Sequence, residues 1–360
     1  MVATLAHANT GAGDPGKYID SLFAPFAATN APGACVAVVR EGKPIFVKAY
    51  GAADIEHGTL CAPETDFRLA SVTKQFTATA ILFLASEKKL SLNETLPDFF
   101  PGFPAYGSGI TVRHLLSHTS GLPDYEDLIP AGTTLPVLDR DVLRLLMGQT
   151  KGLFSPGERF QYSNSGYSLL SLIVEQRSGM PFARFLQERI FKPLRMTHTL
   201  AYEKGLSVIP NRAYGYSAAG SGFRKTDQSL TSSVLGDGGI YSCVLDMAKW
   251  ADALSRNRVL PKRWQTLAFT PGLETGEKGI RYGFGWFISQ YRGLKEIWHS
   301  GNTIGFTTRI VRFPERKFTV IILANRNDAD LKNIPLRIAD FWFFGEEPGP
   351  AAADEQALTR

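Results

Sequence analysis

The chain has 360 residues, 44% of them hydrophobic and 20% charged. That balance excludes a disordered protein, which has too little apolar surface to offset chain entropy, and fits one or two lobes around a substantial core. The 39 Lys and Arg against 34 Asp and Glu leave +5; they are scattered rather than striped, so no nucleic-acid partner is expected.

At the start, MVATLAHANTGAGDPG lacks the basic and long apolar segments of a secretory signal. The chain is therefore expected to be cytoplasmic, or periplasmic or secreted with a signal already removed. Asp14 before Pro15 signals a helix, an N-cap followed by proline at the first helical position. Ile19, Leu22, Phe23 and Phe26 then share a face. Cys35–Arg40 and Pro44–Tyr50 read as two strands joined at Glu41-Gly42-Lys43, a hairpin. The three cysteines, Cys35, Cys61 and Cys243, are odd in number and form no C-x-x-C, which excludes a disulfide framework and a zinc ribbon. They are expected as small buried hydrophobes, with one Cys35–Cys61 bridge left open.

Val72–Leu90 is predicted helical, because Phe76, Ala80, Phe83 and Leu84 fall at i, i+4, i+7 and i+8. Further helices are predicted over Val112–Ser117, Asp141–Met147, Ser165–Arg177 (stopped by Gly179) and Phe182–Arg189. From about residue 275 the pattern returns to strands: Tyr282–Ser289, Glu296–His299, Thr307–Phe313 and Phe318–Leu323. A last helix is predicted around Leu331–Phe344, and 345–360 reads as a flexible tail. Apolar runs such as Ala80–Ala85 fall far short of the ~20 residues of a transmembrane segment. This order predicts an α+β fold: an antiparallel sheet flanked by terminal helices, with an all-helical lobe inserted.

Three short motifs carry chemistry. Ser71-Val72-Thr73-Lys74 opens the long helix, and residues three apart on a helix share a face. A serine hydroxyl needs a base to take its proton, and a neighbouring lysine can act as one. Tyr162-Ser163-Asn164 precedes the next long helix, offering a phenol to relay protons and an amide to hold a carbonyl. His299-Ser300-Gly301-Asn302 ends a strand; with no side chain at Gly301, a substrate backbone has room to lie there as an added strand. Taken singly, each has a plain reading: a solvated Ser and Lys, a packed Tyr beside a helix cap, and a strand-end turn with a surface His. His114 and His118 lie four apart without a third ligand and read as structural. Gly236-Asp237-Gly238-Gly239 lacks the Lys-Ser/Thr of a P-loop and reads as backbone passing close to a cleft.

In this order and at these separations, S-x-x-K, Y-x-N and H-x-G resemble the penicillin-recognising serine hydrolases. The likeness is to their class C β-lactamase-like branch, with its D-alanyl-D-alanine carboxypeptidases, D-aminopeptidases and family VIII carboxylesterases. Leu115-Leu116-Ser117-His118-Thr119-Ser120-Gly121-Leu122-Pro123, Lys192–Met196 with Thr199, and Gly238–Ser242 with Asp246 are similar to phrases of that branch. The resemblance covers about residues 17–344. It implies a β-lactamase/transpeptidase-like fold in one catalytic domain, with an α/β lobe about 17–70 and 235–344 and a helical lobe about 71–234. It implies no cofactor and no metal, and a small-molecule ester, amide or β-lactam as substrate.

Residue by residue, the resemblance implies Ser71 as the acylated nucleophile and Lys74 as its proton partner. Tyr162 would be the general base, its phenolate stabilised by the nearby ammonium. Asn164 would hold the substrate carbonyl, and His299 would bond to Tyr162 or substrate. The N–H groups of Ser71 and Asn302, the latter beside Gly301, would form the oxyanion hole. The family's third motif is commonly K-T-G, whose lysine offers a fixed charge to a substrate carboxylate, whereas a histidine is mostly neutral at pH 7. Carboxylesterase activity on small esters is therefore the leading expectation. The alternatives are a D-amino-acid peptidase or amidase, a D-Ala-D-Ala carboxypeptidase and a β-lactamase. From another class comes a penicillin-binding sensor that is acylated without turning over. Arg309, Arg312 and Arg326 are candidate carboxylate-binding cations, and Tyr125, Phe154, Tyr167, Tyr241 and Trp286 candidate walls of an acyl pocket.

Overall fold

The computed structural model describes residues 14–345; the tail predicted beyond them lies outside the described residues. The Asp14 carboxylate accepts from the Gly16 N–H and starts α1 (Pro15–Leu22). The predicted hairpin is β1 (Ala34–Arg40) and β2 (Lys43–Tyr50). The chain leaves this sheet after Tyr50 and returns at β3 (Arg281–Tyr282), β4 (Phe287–Tyr291), β5 (Leu294–Thr303), β6 (Phe306–Phe313) and β7 (Phe318–Ala324). The strand order is β3-β4-β5-β6-β7-β1-β2, antiparallel throughout. Early and late segments thus meet mid-sheet, with β1 paired to β7 from Ala34–Ala324 to Arg40–Phe318.

Successive strand side chains point to opposite faces. Val36 and Val38, with Val320 and Ile322, pack beneath α1 and the last helix, α6 (Ile334–Phe344), through Ile19, Phe23, Ile338 and Phe341. Cys35 and Ala37, with Ile310 and Ile321, share the other core with Phe76 and Trp250. Those two come from α2 (Lys74–Ser86) and α4 (Val244–Ser255). Burial on both faces explains why β1 and β7 read as unbroken apolar runs. α3 (Asn164–Ser178) packs on α2 and ends where Gly179 takes a left-handed φ of 70°. The three cysteines are free.

The structure differs from the sequence reading at three places that matter. The helix predicted from Val72 begins at Lys74; Ser71 sits in a 3-10 turn, Ala70–Thr73. The strand predicted over Tyr282–Ser289 is split into β3 and β4 around Gly285, which has φ 79° and packs on the Lys74 carbonyl, where a Cβ would lie at 2.8 Å. The inserted segment also holds a hairpin, Tyr216–Ala219 with Gly222–Lys225, and a small sheet formed by Phe67–Arg68, Ile240–Ser242 and Leu200–Ala201. Unpredicted α4 packs on β1, β2 and β7, and unpredicted α5 (Lys262–Ala268) packs on α2. Met247, Trp250, Ala251 and Leu254 show the helical period that marks α4.

Candidate active site

The turn bearing Ser71 is fixed by groups distant in sequence. The Leu69 N–H donates to the Ile240 carbonyl at 2.8 Å. The Leu69 carbonyl accepts from Thr308 Oγ1 on β6 at 2.7 Å. Ala70 is then held at φ 48°, a left-handed conformation costly for any residue with a Cβ. Gly301 of β5 lies against this turn: a Cβ there would stand 2.2 Å from the Leu69 oxygen and 3.0 Å from Ala70 Cβ. The missing side chain therefore makes room for the turn that bears Ser71, a reason for the glycine beside the substrate contact expected.

Lys74, one turn on, is fully buried. Its Nζ donates to Ser71 Oγ at 3.0 Å, Asn164 Oδ1 at 2.9 Å and the Asp237 carbonyl at 2.9 Å. Three acceptors match the three donors of an ammonium. The same Nζ lies 4.9 Å from the Tyr162 ring centroid and 5.5 Å from that of Tyr167. Asn164 is delivered by the first residue of α3, whose N-cap Ser163 Oγ accepts from the Gly166 N–H. Arg68, next to the turn, is buried and spent on Ser232 and the Gly238 carbonyl.

On the other side stands a wall of rings. Tyr162 is half-buried and packs on His118, centroid to centroid 4.2 Å; His118 also lies 4.5 Å from Tyr282 and 5.0 Å from Tyr167. His118 Nδ1 accepts from the Ser163 N–H and its carbonyl accepts from the Gln161 N–H, so His118 holds the Tyr162 loop from both sides. Burial, with Lys74 and His299 nearby, keeps its imidazole well below the usual histidine range. His114 caps the helix Val112–Leu116. One ring nitrogen of each histidine thus accepts from a backbone N–H. His299 departs from expectation. Its Nδ1–H donates to the Ser300 carbonyl at 2.7 Å, so its Nε2 is the acceptor for the Tyr282 hydroxyl at 3.0 Å. Both nitrogens are occupied, and neither reaches Tyr162. Burial, then the Lys74 charge, hold His299 down to about 3, so it stays neutral.

Ser71, Tyr125, Glu126, Asn164, Asp237 and Asn302 line a small cavity of about 50 Å³. Asn302 sits where β5 has lost its neighbour: β4 pairs with β5 only as far as Phe287–Trp298, and beyond that the edge has no strand partner among the described residues. Tyr125 donates to Asp237 Oδ2 at 3.1 Å, and burial raises the Asp237 carboxyl to about 7 despite the Lys74 charge. Of the five aromatic candidates only Tyr125 lines this cavity. Phe154 borders another pocket, and Tyr167, Tyr241 and Trp286 are buried in the core. None of the three candidate cations is there: Arg309 stacks on Trp298, Arg312 lies between Phe269 and Trp286, and Arg326 pairs with Asp328 at 2.7 Å.

Thr308, Ala70, His118, Tyr282 and Asp237 are the residues that motif reasoning did not place in the site. A single group of metal-ligand types occurs among the described residues, Asp66, His198 and Cys243, within 4.8 Å of one another. Its His198 Nδ1 and Asp66 Oδ1 stand 3.5 Å apart, and none of the three lines the Ser71 cavity.

A Beta-lactamase family model matches residues 19–341. Penicillin-binding protein 4* of Bacillus subtilis (strain 168) is 30% identical over 347 residues, 92% of this chain and 76% of its own length. Among solved structures, the octameric penicillin-binding protein homologue from Pyrococcus abyssi has a TM-score of 0.81 at 28% identity, covering 92% of this chain and 77% of that one. The D-amino acid amidase from Ochrobactrum anthropi SV3, complexed with L-phenylalanine amide, shares the fold at TM-score 0.77 and 24% identity, covering 91% of this chain and 96% of its own. With its sheet, its buried S-x-x-K lysine and 323 consecutive positions spanned by the family model, the chain belongs to the Beta-lactamase family of penicillin-recognising serine hydrolases.

Proposed function

We propose that the protein hydrolyses small carboxylic esters through an acyl-serine intermediate on Ser71. The observation that carries this reading is the bond from Lys74 Nζ to Ser71 Oγ made together with the bond to Asn164 Oδ1. Lys74 donates toward the serine oxygen, which leaves the serine O–H proton for a different acceptor. Tyr162 is the partner proposed: its ring lies beside the Lys74 charge, and no hydrogen bond ties its hydroxyl among the described residues. Tyr162 takes the Ser71 proton as Oγ attacks the ester carbonyl. The oxyanion forms toward the N–H groups of Ser71 and Asn302, an arrangement worth roughly 2.7–4 kcal/mol per donor in comparable sites. Tyr162 then protonates the departing alcohol, and in the second half takes a proton from the water that attacks the acyl-serine. Asn164 turns its amide toward the substrate carbonyl, and His299, kept neutral by burial and the Lys74 charge, shapes the wall.

The preference for esters without a carboxylate rests on charge. The cavity is lined by Glu126 and Asp237, and its one lining cation, Arg68, is already spent. A substrate carboxylate has nothing to pair with there. The same carboxylates favour a second reading, amides or esters of D-amino acids, whose α-ammonium they would attract; the likeness to a D-amino acid amidase supports it at the level of fold. The test is parallel turnover of p-nitrophenyl butyrate, nitrocefin, a D-Ala-D-Ala peptide and D-amino-acid amides. The butyrate ester is expected to give the highest kcat/KM. A larger value for nitrocefin or the dipeptide would overturn the ester reading, and a larger value for the D-amides would replace it with the second.

A further inference from the structure

We propose that the protein holds a second ligand site, a pocket for a small oxyanion organised by Arg312. Arg312 lies on β6 opposite Ile297 of β5 and is 4% exposed. Its Nε and Nη1 have no hydrogen-bond partner. The guanidinium carbon instead lies 5.0 Å from the Phe269 ring centroid and 5.6 Å from that of Trp286. Stacking on ring faces holds the guanidinium plane but leaves its in-plane N–H groups unused. Buried polar groups are nearly always hydrogen-bonded to protein, to water or to a ligand, and a buried charge left unpaired is strongly unfavourable.

The surroundings indicate which partner is missing. Arg312 borders a cavity of about 480 Å³ that is also lined by Lys295 and Lys317, and by no Asp or Glu. Lys295 Nζ donates to the Phe269 carbonyl at 3.3 Å. Lys317, at the left-handed turn into β7, makes no ion pair among the described residues. Burial alone lowers the proton affinity of Arg312, to about 10; no carboxylate raises it. Gln265 adds an unpaired carbonyl oxygen, which is neutral and offsets none of this charge. Asn257, Thr266 and Thr270 supply further polar groups. Three cations around one concave space, without an anion, match a carboxylate or phosphate group, and the volume suits a small molecule. The pocket shares no lining residue with the Ser71 cavity. It does adjoin the catalytic wall, since Ile297 lies two positions before His299 and Trp286 follows Gly285, which packs on Lys74.

Thermal unfolding of the wild-type protein and Arg312→Met tests this in sodium phosphate, in sodium citrate, and in sodium chloride of equal ionic strength. Both anions stabilise any fold at high concentration by exclusion, so each is kept to about 10 mM and judged by the difference between the two proteins. At least one is expected to raise the wild-type midpoint by about 2 °C or more and to leave Arg312→Met unmoved; which one does so separates a phosphate from a carboxylate ligand. In chloride alone Arg312→Met is expected to melt no lower than wild type, because it replaces an unpaired buried charge by an apolar chain. Equal shifts in the two proteins, or no shift in either, would overturn the site. So would a variant several degrees less stable in chloride, since the guanidinium would then be satisfied within the chain. If Arg312→Met does not fold, Lys317→Ala serves: a threefold or greater weakening of the anion response is expected, and an unchanged response overturns the proposal.

Discussion

The corner around Ser71 and the wall around Tyr162 face each other across the same site and are held in opposite ways. In the corner, every donor of Lys74 is used and the Leu69 carbonyl, two residues before Ser71, is bonded from β6. Displacement there breaks charge-assisted hydrogen bonds, each worth roughly 1.5–3 kcal/mol. In the wall, Tyr162 is held by rings, with His118 beneath it and Phe287 beyond. Packing fixes a ring plane without occupying its hydroxyl. In the proposed mechanism, Ser71 and the Lys74 ammonium need fixed positions, whereas Tyr162, which accepts and returns protons, needs an uncommitted oxygen.

If that division is right, substitutions in the corner act on the acylation step and those in the wall act on proton traffic or stability. The largest effect is expected from Ser71→Ala, on the order of a 10⁶ loss in kcat with an unchanged far-ultraviolet spectrum; turnover above about a tenth of wild type would remove Ser71 from the mechanism. Tyr162→Phe is next, at roughly 10²–10⁴ per step. Since Lys74 still assists the first step and nothing replaces the phenol in the second, an activated ester should give a burst of about one product per enzyme. An acyl adduct on Ser71 should then appear in intact-mass spectra. Linear progress curves at the wild-type rate would demote Tyr162 to packing.

Gly301→Ala probes the join between the regions. The new methyl must displace the Leu69–Ala70 turn, and a shift of that size costs on the order of 10² in rate. Unaltered kcat would show that the turn has slack. The smallest effect is expected from Tyr282→Phe, which strips His299 Nε2 of its donor. Stability should fall by about 1–3 kcal/mol while activity stays within about tenfold; a larger kinetic loss would put Tyr282 in the chemistry. The pH dependence follows from the same pair. Unfolded His299 takes a proton near 6.5, but folded His299 resists it down to about 3. Its contribution to stability is present above pH 6.5 and declines as pH falls toward 3. His299→Asn should flatten the midpoint-versus-pH curve between 6.5 and 4; an equal slope would place the acid sensitivity elsewhere.

How far the sequence could be read follows the same division. The meeting of Ser71, Lys74 and Asn164, with the Tyr162 ring beside them, was legible because the motifs are written in spacings of two and three residues. β1 and β7 were legible because burial on both faces leaves nearly unbroken apolar runs, and β2 because the Glu41–Lys43 turn joins it to β1 as a hairpin. The hydrogen bond from Thr308 to Leu69 spans 239 residues, and no local pattern announces it. The same holds for Tyr282, whose partner is decided by how β3 folds against β5. His299 was placed correctly on its strand but its direction was not, because the tautomer depends on the Ser300 carbonyl and on a tyrosine hidden inside a predicted strand that is broken by Gly285. The cations were misplaced for a related reason: alternation along β6 sends Arg309 to the face away from Thr308, and Arg312, on the Thr308 face, stands four residues farther along the strand.

The left-handed turn at Ala70 also dictates a timetable. Its two anchors, Ile240 and Thr308, leave the ribosome long after Ser71 does, and long-range pairings of this kind form late. A nascent chain that has not yet reached β6 carries Ser71 and Lys74 three residues apart but lacks the brace that aims them. In the proposed mechanism, the competence of Ser71 to be acylated therefore arrives only with the closing strands.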